Sequence, residues 1–537
     1  MIITNPILPG FNPDPSICRV GDDYYIATST FEWYPGVQIH HSKDLRNWKL
    51  ITRPLNRVEL LDMRGEPDSC GVWGPCLSYA DGLFWLIYTD VKRFHGNFKD
   101  THNYLTTCET IDGEWAKPIY LNSCGFDPSL FHDDDGRKWY TSMIWDHRPD
   151  RSFFGGIVLQ EYCPLEQQLT GDSYPIFAGS PSGSTEAPHI YKRDGYYYLM
   201  TAEGGTGYDH AITLARSQHL TGPYEVDPQL HFLSSSDNPE LTLQRAGHGD
   251  LVETKEGEWY VVHLCSRPLT LQQQRSTMGR ETAIQQVYWD DEGWLRLCSE
   301  GYWPHESTPA PQISEAAWPE LELRCDFEGA ELPIDFQWLR TPYPADLFSL
   351  SERPSFLRLY GREALGSFFT SSLVARRQQA FSYVATTCLE FSPENFQQMA
   401  GLVCYYNSRK FHYVYISHDE QIGRCVGIMS CHGEAGTSEI FPLQHDLISI
   451  SEQGAVYLRA KVTEDKLQFY WAINQNDWHA IPLTLDYSLL SDEAGSNENP
   501  NFTGTFVGMC CQDVSCGRAC ADFSFFEYID KGPLLSR

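Results

Sequence analysis

Short apolar and aromatic runs recur in pairs along residues 1–305, and each pair is split by a polar turn. Five segments share the pattern: a Pro or Gly near the start, a pair of apolar positions, a turn, then an aromatic run. They are DPSICRVGDDYYIATST from Asp14, WGPCLSYADGLFWLIYTD from Trp73, DPSLFHDDDGRKWYTSMIWD from Asp127, EAPHIYKRDGYYYLMTAEGG from Glu186 and HGDLVETKEGEWYVVHL from His248. Each reads as a β-hairpin, with turns at Gly21-Asp22, Asp81-Gly82, Asp135-Gly136, Asp194-Gly195 and Glu256-Gly257. Asp-Gly supplies the positive φ angles that a tight hairpin needs. The starts lie about 55–60 residues apart, which suits four-stranded blades with long outer connections. The pattern predicts an all-β chain whose residues 1–305 form a five-bladed β-propeller.

After Trp303 the stretch PHESTPAPQISEAAWP reads as a linker, over 306–320. Alternating runs such as FSYVATTCLEF, VYLRAKV and KLQFYWAI follow without the repeat, so 321–537 is expected to be a β-sandwich, jelly-roll-like. DEAGSNENPN, from Asp492, is expected as a surface loop.

Composition adds limits. The 537 residues exceed one ordinary core. A formal charge of −31 argues against a nucleic-acid binder, which needs a Lys/Arg surface to displace counterions, and disfavours anionic membranes. A neutral sugar is compatible with it. No long apolar run or basic leader appears, and the 17 Cys are scattered without metal or redox spacing. Reduced thiols in a cytoplasm are therefore expected.

In a propeller the innermost strands start near the axis, so Asp14, Trp73, Asp127, Glu186 and His248 should converge on one mouth. Three carboxyl groups held close together repel one another unless their shifted pKa values serve a purpose. Glycoside hydrolysis needs two: one protonates the leaving oxygen and the other activates water or attacks the sugar. A third can keep the acid protonated. Aromatic faces nearby suit the C–H surface of a sugar, and Phe31, Trp73 and Trp145 fall close to the same mouth.

NPDPS at 12–16, GFDPSLF at 125–131 and STEAPHIY at 184–191 resemble the signature of family 43 glycoside hydrolases. FEWYPGVQIHHSKDL, YLMTAEGGT, GRETAIQ and NFTGTFVGMCCQD resemble its β-xylosidase branch. The resemblance implies an inverting exo-enzyme that releases xylose from β-1,4-xylo-oligosaccharides, with α-L-arabinofuranosidase side activity. Asp14 would be the general base, Glu186 the general acid and Asp127 the modulator of its pKa. His248 and Arg280 would hold the sugar and the carboxyl network, and Phe506 would close the pocket from the second domain. No cofactor or metal is required, although calcium on the axis near His248 is allowed for, and relatives with this second domain are often dimers or tetramers. Cys76 stands where relatives often carry an acidic residue. The other readings are a retaining fructan-type hydrolase and a silent sugar-binding propeller; the latter has no need of all three carboxyls. EGGTG at 203–207 lacks the helix of a phosphate loop, HDDDG at 132–136 lacks the downstream Glu of a calcium loop, and no G-x-S-x-G elbow occurs.

Overall fold

The structure, a computed structural model, describes residues 1–299, 301–319, 322–432, 446–494 and 501–531. Apart from two single-turn 3-10 helices, every regular element among them is a strand. Consecutive strands build separate four-stranded antiparallel sheets, running outward from Ser16–Val20, Gly71–Ala80, Ser129–His132, Glu186–Arg193 and Gln244–Glu253. These inner strands touch along a common axis, so the amino-terminal half is a β-propeller. Ser16 Oγ donates to Asp250 Oδ2 at 2.8 Å, Leu77 N to Ser16 Oγ at 3.0 Å, and Ser129 Oγ to the Pro188 carbonyl.

All five expected hairpin turns form: at Gly21-Asp22, a two-residue turn between paired Val20 and Asp23, only the glycine is left-handed, and the other four take two routes. At Asp81-Gly82 and Asp194-Gly195 both residues are left-handed, with φ of 56° and 77°, and of 48° and 81°. That is the two-residue turn whose twist matches its strands. At Asp135-Gly136 and Glu256-Gly257 only the glycine is left-handed, and the turns are wider: Asp133 N donates to Arg137 O, and Thr254 N to Glu258 O.

The stretch expected as a linker takes part in closing the ring. Ser307–Pro309 pairs antiparallel with Ile2–Thr4. Asn5 Nδ2 then donates to Ile284 O and His305 O, while Ile284 N donates to Asn5 Oδ1. Leu8 exchanges backbone hydrogen bonds with Thr282, and Asn12 N donates to Arg280 O. The amino-terminal arm is thus stapled along the last sheet before it enters the first. The expected boundary residues 320 and 321 lie outside the described residues.

Among the described residues, the remainder is a two-sheet sandwich of eight and six strands. Strand Gln398–Asn407 of the six-stranded sheet is buried on both faces. Because side chains alternate, Ala400, Leu402, Cys404 and Tyr406 enter the sandwich core, whereas Met399, Val403 and Tyr405 join a cluster with Phe11, Phe31 and Trp33 of the propeller. Trp338–Leu339 also pairs with Trp33–Tyr34 across the two halves. Of the expected loop from Asp492, residues 495–500 lie outside the described residues. Asp492 and Glu493 are not free surface: both bond Arg245 Nη1 of the propeller at 2.9 Å. A buried guanidinium needs such partners, and that draws the loop in.

Asn5→Ala should lower stability by about 2–4 kcal/mol, because it removes three hydrogen bonds and strands buried backbone partners. Urea unfolding of the full chain measures this; a loss under about 0.5 kcal/mol, the scale of ordinary surface changes, would refute the staple.

Candidate active site

Near the start of each inner strand a left-handed residue recurs, at Asp14, Gly74, Asp127, Ala187 and His248, with φ of 55°, 42°, 52°, 48° and 42°; Gly71 and Arg245 are left-handed as well. In the first four a proline follows, and His248 precedes Gly249. Three of the strands also shift register here, between Trp73 and Cys76, Glu186 and His189, and Gly247 and Gly249. Such bulges re-aim side chains. Asp14, Asp127 and His248 sit at the left-handed position itself, while Trp73 and Glu186 sit one residue earlier. Glycine is required in the second sheet, because a Cβ on Gly74 would lie 2.2 Å from Asp127 Oδ1.

These residues line one cavity of about 250 Å³. It brings together Asp14, Asp127, Glu186, His248, Arg280, Phe31, Trp73 and Trp145, eight of the nine site residues expected from the sequence. Phe506 is not among them. It is fully buried, stacked on Trp33 with ring centroids 3.6 Å apart, behind the wall. The ring that reaches the cavity from the second domain is Phe502, four residues earlier. Its amide donates to Ser69 Oγ at 3.1 Å, its carbonyl accepts from Arg280 Nη2 at 3.1 Å, and its ring meets Trp73, Phe31 and Phe94.

Gly205 and Thr206 of the EGGTG stretch, with Phe94, Lys99, Phe126, Phe154 and His210, complete the lining, and the last five went unnoticed in the sequence. Phe126 was within reach, since it precedes Asp127 as Trp73 precedes Gly74 and Glu186 precedes Ala187. Phe94 and Lys99 come from a connection outside the repeat, and His210 from YDHA, which carries no pattern.

The three carboxyls occupy unlike environments. Asp14 Oδ2 accepts from Ser29 Oγ at 2.7 Å and Oδ1 from Arg280 Nη1 at 3.0 Å, with His248 Nδ1 at 3.8 Å. Asp127 is buried with Asp14 beside it, which pushes its carboxyl up to about 8 against the pull of Arg280. Burial, then Asp127 and Asp14, drive Glu186 well above the carboxylate range, again opposed by Arg280. The last two act as a pair that retains a proton near neutrality. Burial holds His248 down to about 4, so its ring is neutral there.

The axis does not offer calcium an oxygen cage. Among the described residues no three His, Cys, Asp or Glu side chains are placed to hold a metal ion. Below His248, both Asp250 oxygens are taken by Ser16 Oγ, Ile17 N, Tyr191 OH and Leu251 N. Calcium requires six to eight oxygen ligands.

Comparison with known proteins places this geometry in a family. Residues 3–295 match the model of glycosyl hydrolases family 43, and 324–529 match the β-xylosidase C-terminal concanavalin A-like domain. The chain is 51% identical to a β-xylosidase of Bacillus subtilis, covering 99% of this chain and 100% of that one. It is also 51% identical to xylosidase/arabinosidase 43B of Humicola insolens, covering 98% and 97%. A crystal structure of xylan β-1,4-xylosidase from Bacillus halodurans superposes with a TM-score of 0.95 at 50% identity, covering 98% and 100%. A pocket of carboxyls and aromatic rings at a propeller mouth, with full-length relatives in both halves, makes this chain a member of glycoside hydrolase family 43.

Proposed function

We propose that the protein releases D-xylose from the non-reducing end of β-1,4-xylo-oligosaccharides with inversion, in a propeller whose five four-stranded sheets are its five blades. The observation that carries this reading is the small cavity walled by Phe502 of the second domain. At about 250 Å³ it lies below the ~300–1,000 Å³ of ordinary ligand clefts, which favours one terminal sugar over a polymer threaded through. The names of the full-length relatives in both comparisons supply the sugar.

The chemistry follows from the unlike carboxyls. Asp14, held by Ser29 and Arg280, takes a proton from a water as that water attacks the anomeric carbon. Glu186 gives its proton to the glycosidic oxygen, so the C–O bond breaks without expelling an alkoxide. Asp127 keeps that proton on Glu186. Trp73, Phe31 and Phe126 give the ring apolar faces to lie against. Arabinofuranoside cleavage is a second activity of the same pocket, favoured by the xylosidase/arabinosidase name of one relative.

Proton NMR on xylobiose should show α-xylose first; early β-xylose would mean a retaining enzyme and overturn the role of Asp14. Asp14→Asn and Glu186→Gln should each lower kcat/KM by ~10²–10⁴-fold. The Glu186→Gln loss should shrink on an aryl xyloside whose leaving group needs no proton, while the Asp14→Asn loss should not.

The pH profile has a definite sign. Activity needs a proton on Glu186, so the alkaline limb falls where the raised carboxyls ionise. Asp127→Asn removes one neighbouring charge, and the limb in kcat should move to lower pH. Stability should move the other way. An Asp127 carboxyl raised to about 8 stays protonated while the unfolded one ionises, so its unfavourable contribution grows from about pH 4 to 8. The variant's Tm advantage over the native chain should therefore widen from pH 5 to pH 8. A Tm difference that is flat across that range would contradict the raised pKa.

A further inference from the structure

A second cavity, of about 170 Å³, lies where the amino-terminal arm, the first sheet and the sandwich meet. Its charges run against the rest of this acidic chain. Arg53, Arg376 and Arg377 line it together with Lys49 and His40, and the one acid in the wall is Asp335. All three arginines are more than nine-tenths buried.

Their donors are incompletely used. Among the described residues the one carboxylate contact of the three is Arg376 Nη1 to Asp335 Oδ2, at a loose 3.9 Å. Arg53 spends its Nη groups on Gln38 Oε1 at 2.8 Å and on the carbonyls of Ile334 and Phe336. Arg377 Nε donates to Phe11 O at 2.7 Å. Arg53 Nε, Arg376 Nε, Arg377 Nη2 and His40 Nδ1 are buried without a partner. Buried cations without counter-ions are costly, and so are unpaired donors.

We propose that this cavity binds a small oxyanion of the phosphate class, seated among Arg53, Arg376 and Arg377. Guanidinium forks match the geometry of phosphate oxygens and donate to them in pairs. Three arginines and a lysine facing one aspartate favour a multiply charged anion over chloride. The space exceeds the ~30 Å³ share of one water several-fold, enough for an oxyanion and a few waters. Electrostatics agree with the geometry. Burial pulls Arg53 down to about 9, and burial, then Arg53, pull Arg377 down as well. Burial, then Arg377 and Arg53, hold His40 near 3, so it meets an anion as a neutral donor.

The anion would act as a tie between the two halves. Arg53 belongs to the propeller, and Arg376 and Arg377 to the sandwich strand Ser372–Arg377. The network reaches the catalytic side through Gln38, whose Nε2 donates to Asn12 Oδ1 at 2.7 Å, two residues before Asp14.

The test is a phosphate titration of the full chain, followed by calorimetry and ³¹P NMR, with saturating xylose present so that the catalytic cavity is filled. Thermal unfolding is run in parallel against sodium chloride at matched ionic strength. Phosphate is expected to bind one per chain and to raise Tm saturably where chloride does not. Arg376→Gln should weaken phosphate binding at least tenfold, and Lys49→Gln at the exposed rim less. The rim variant serves where the first does not fold. Equal binding of a pentose phosphate would identify a phosphate monoester as the source, and its exclusion would identify inorganic phosphate. Superposed phosphate and chloride curves, or unchanged phosphate affinity in the variants, would overturn the site.

Discussion

Arg280 lies where the last sheet of the propeller meets the first strand, and its guanidinium ties three parts of the molecule together. One nitrogen bonds Asp14, another bonds the carbonyl of Phe502, and its faces lie 5.2 and 5.6 Å from the rings of Phe31 and Phe502. At 3% exposure this cation has little water to fall back on. Ring closure, placement of Asp14 and seating of the second-domain aromatic therefore stand or fall together. The same charge sets the environments of the carboxyls apart: it bonds Asp14, while at Asp127 and Glu186 its pull is outweighed by burial and by the neighbouring acids.

The sandwich supplies part of the wall of the candidate pocket, through Phe502. Its six-stranded sheet has two buried faces, one toward its own core and one toward the propeller, so the two halves share a hydrophobic cluster. From that shared face the chain carries Phe502 over the axial mouth. The segment is held from both sides, by Ser69 and Arg280 of the propeller and by Tyr406 of the sandwich, which bonds Thr503. An open propeller mouth thereby becomes a small pocket, and the size of that pocket limits what can enter.

The carboxyl cluster opposes folding, since three acids in a buried space repel one another and lose hydration. It persists because the surrounding backbone is over-determined. Left-handed residues, prolines and bulges at the inner strand starts leave Asp14, Asp127 and Glu186 nowhere else to point. Strain and repulsion gathered at one mouth of an otherwise well-packed molecule are the expected mark of a site shaped for chemistry.

The five hairpins were legible in the sequence because turn chemistry and alternation are local properties, and from them the convergence of Asp14, Trp73, Asp127, Glu186 and His248 followed. The repeat register could also have pointed to Phe126. Phe506 illustrates what the sequence could not decide. Nothing local distinguishes it from Phe502; the pleat and the docking of two domains bury one ring against Trp33 and bring the other to the cavity. Lys99, His210 and the arginine-lined cavity belong to the same class, because each depends on segments that meet only after the ring has closed. The sequence by itself determined the strands, the turns and the chemical types brought to the axis, since these depend on short-range steric and hydrogen-bonding preferences. Tertiary structure decided which aromatic closes the pocket, how the arm staples the ring and which charges are left facing one another, because burial and long-range proximity exist only in the assembled fold.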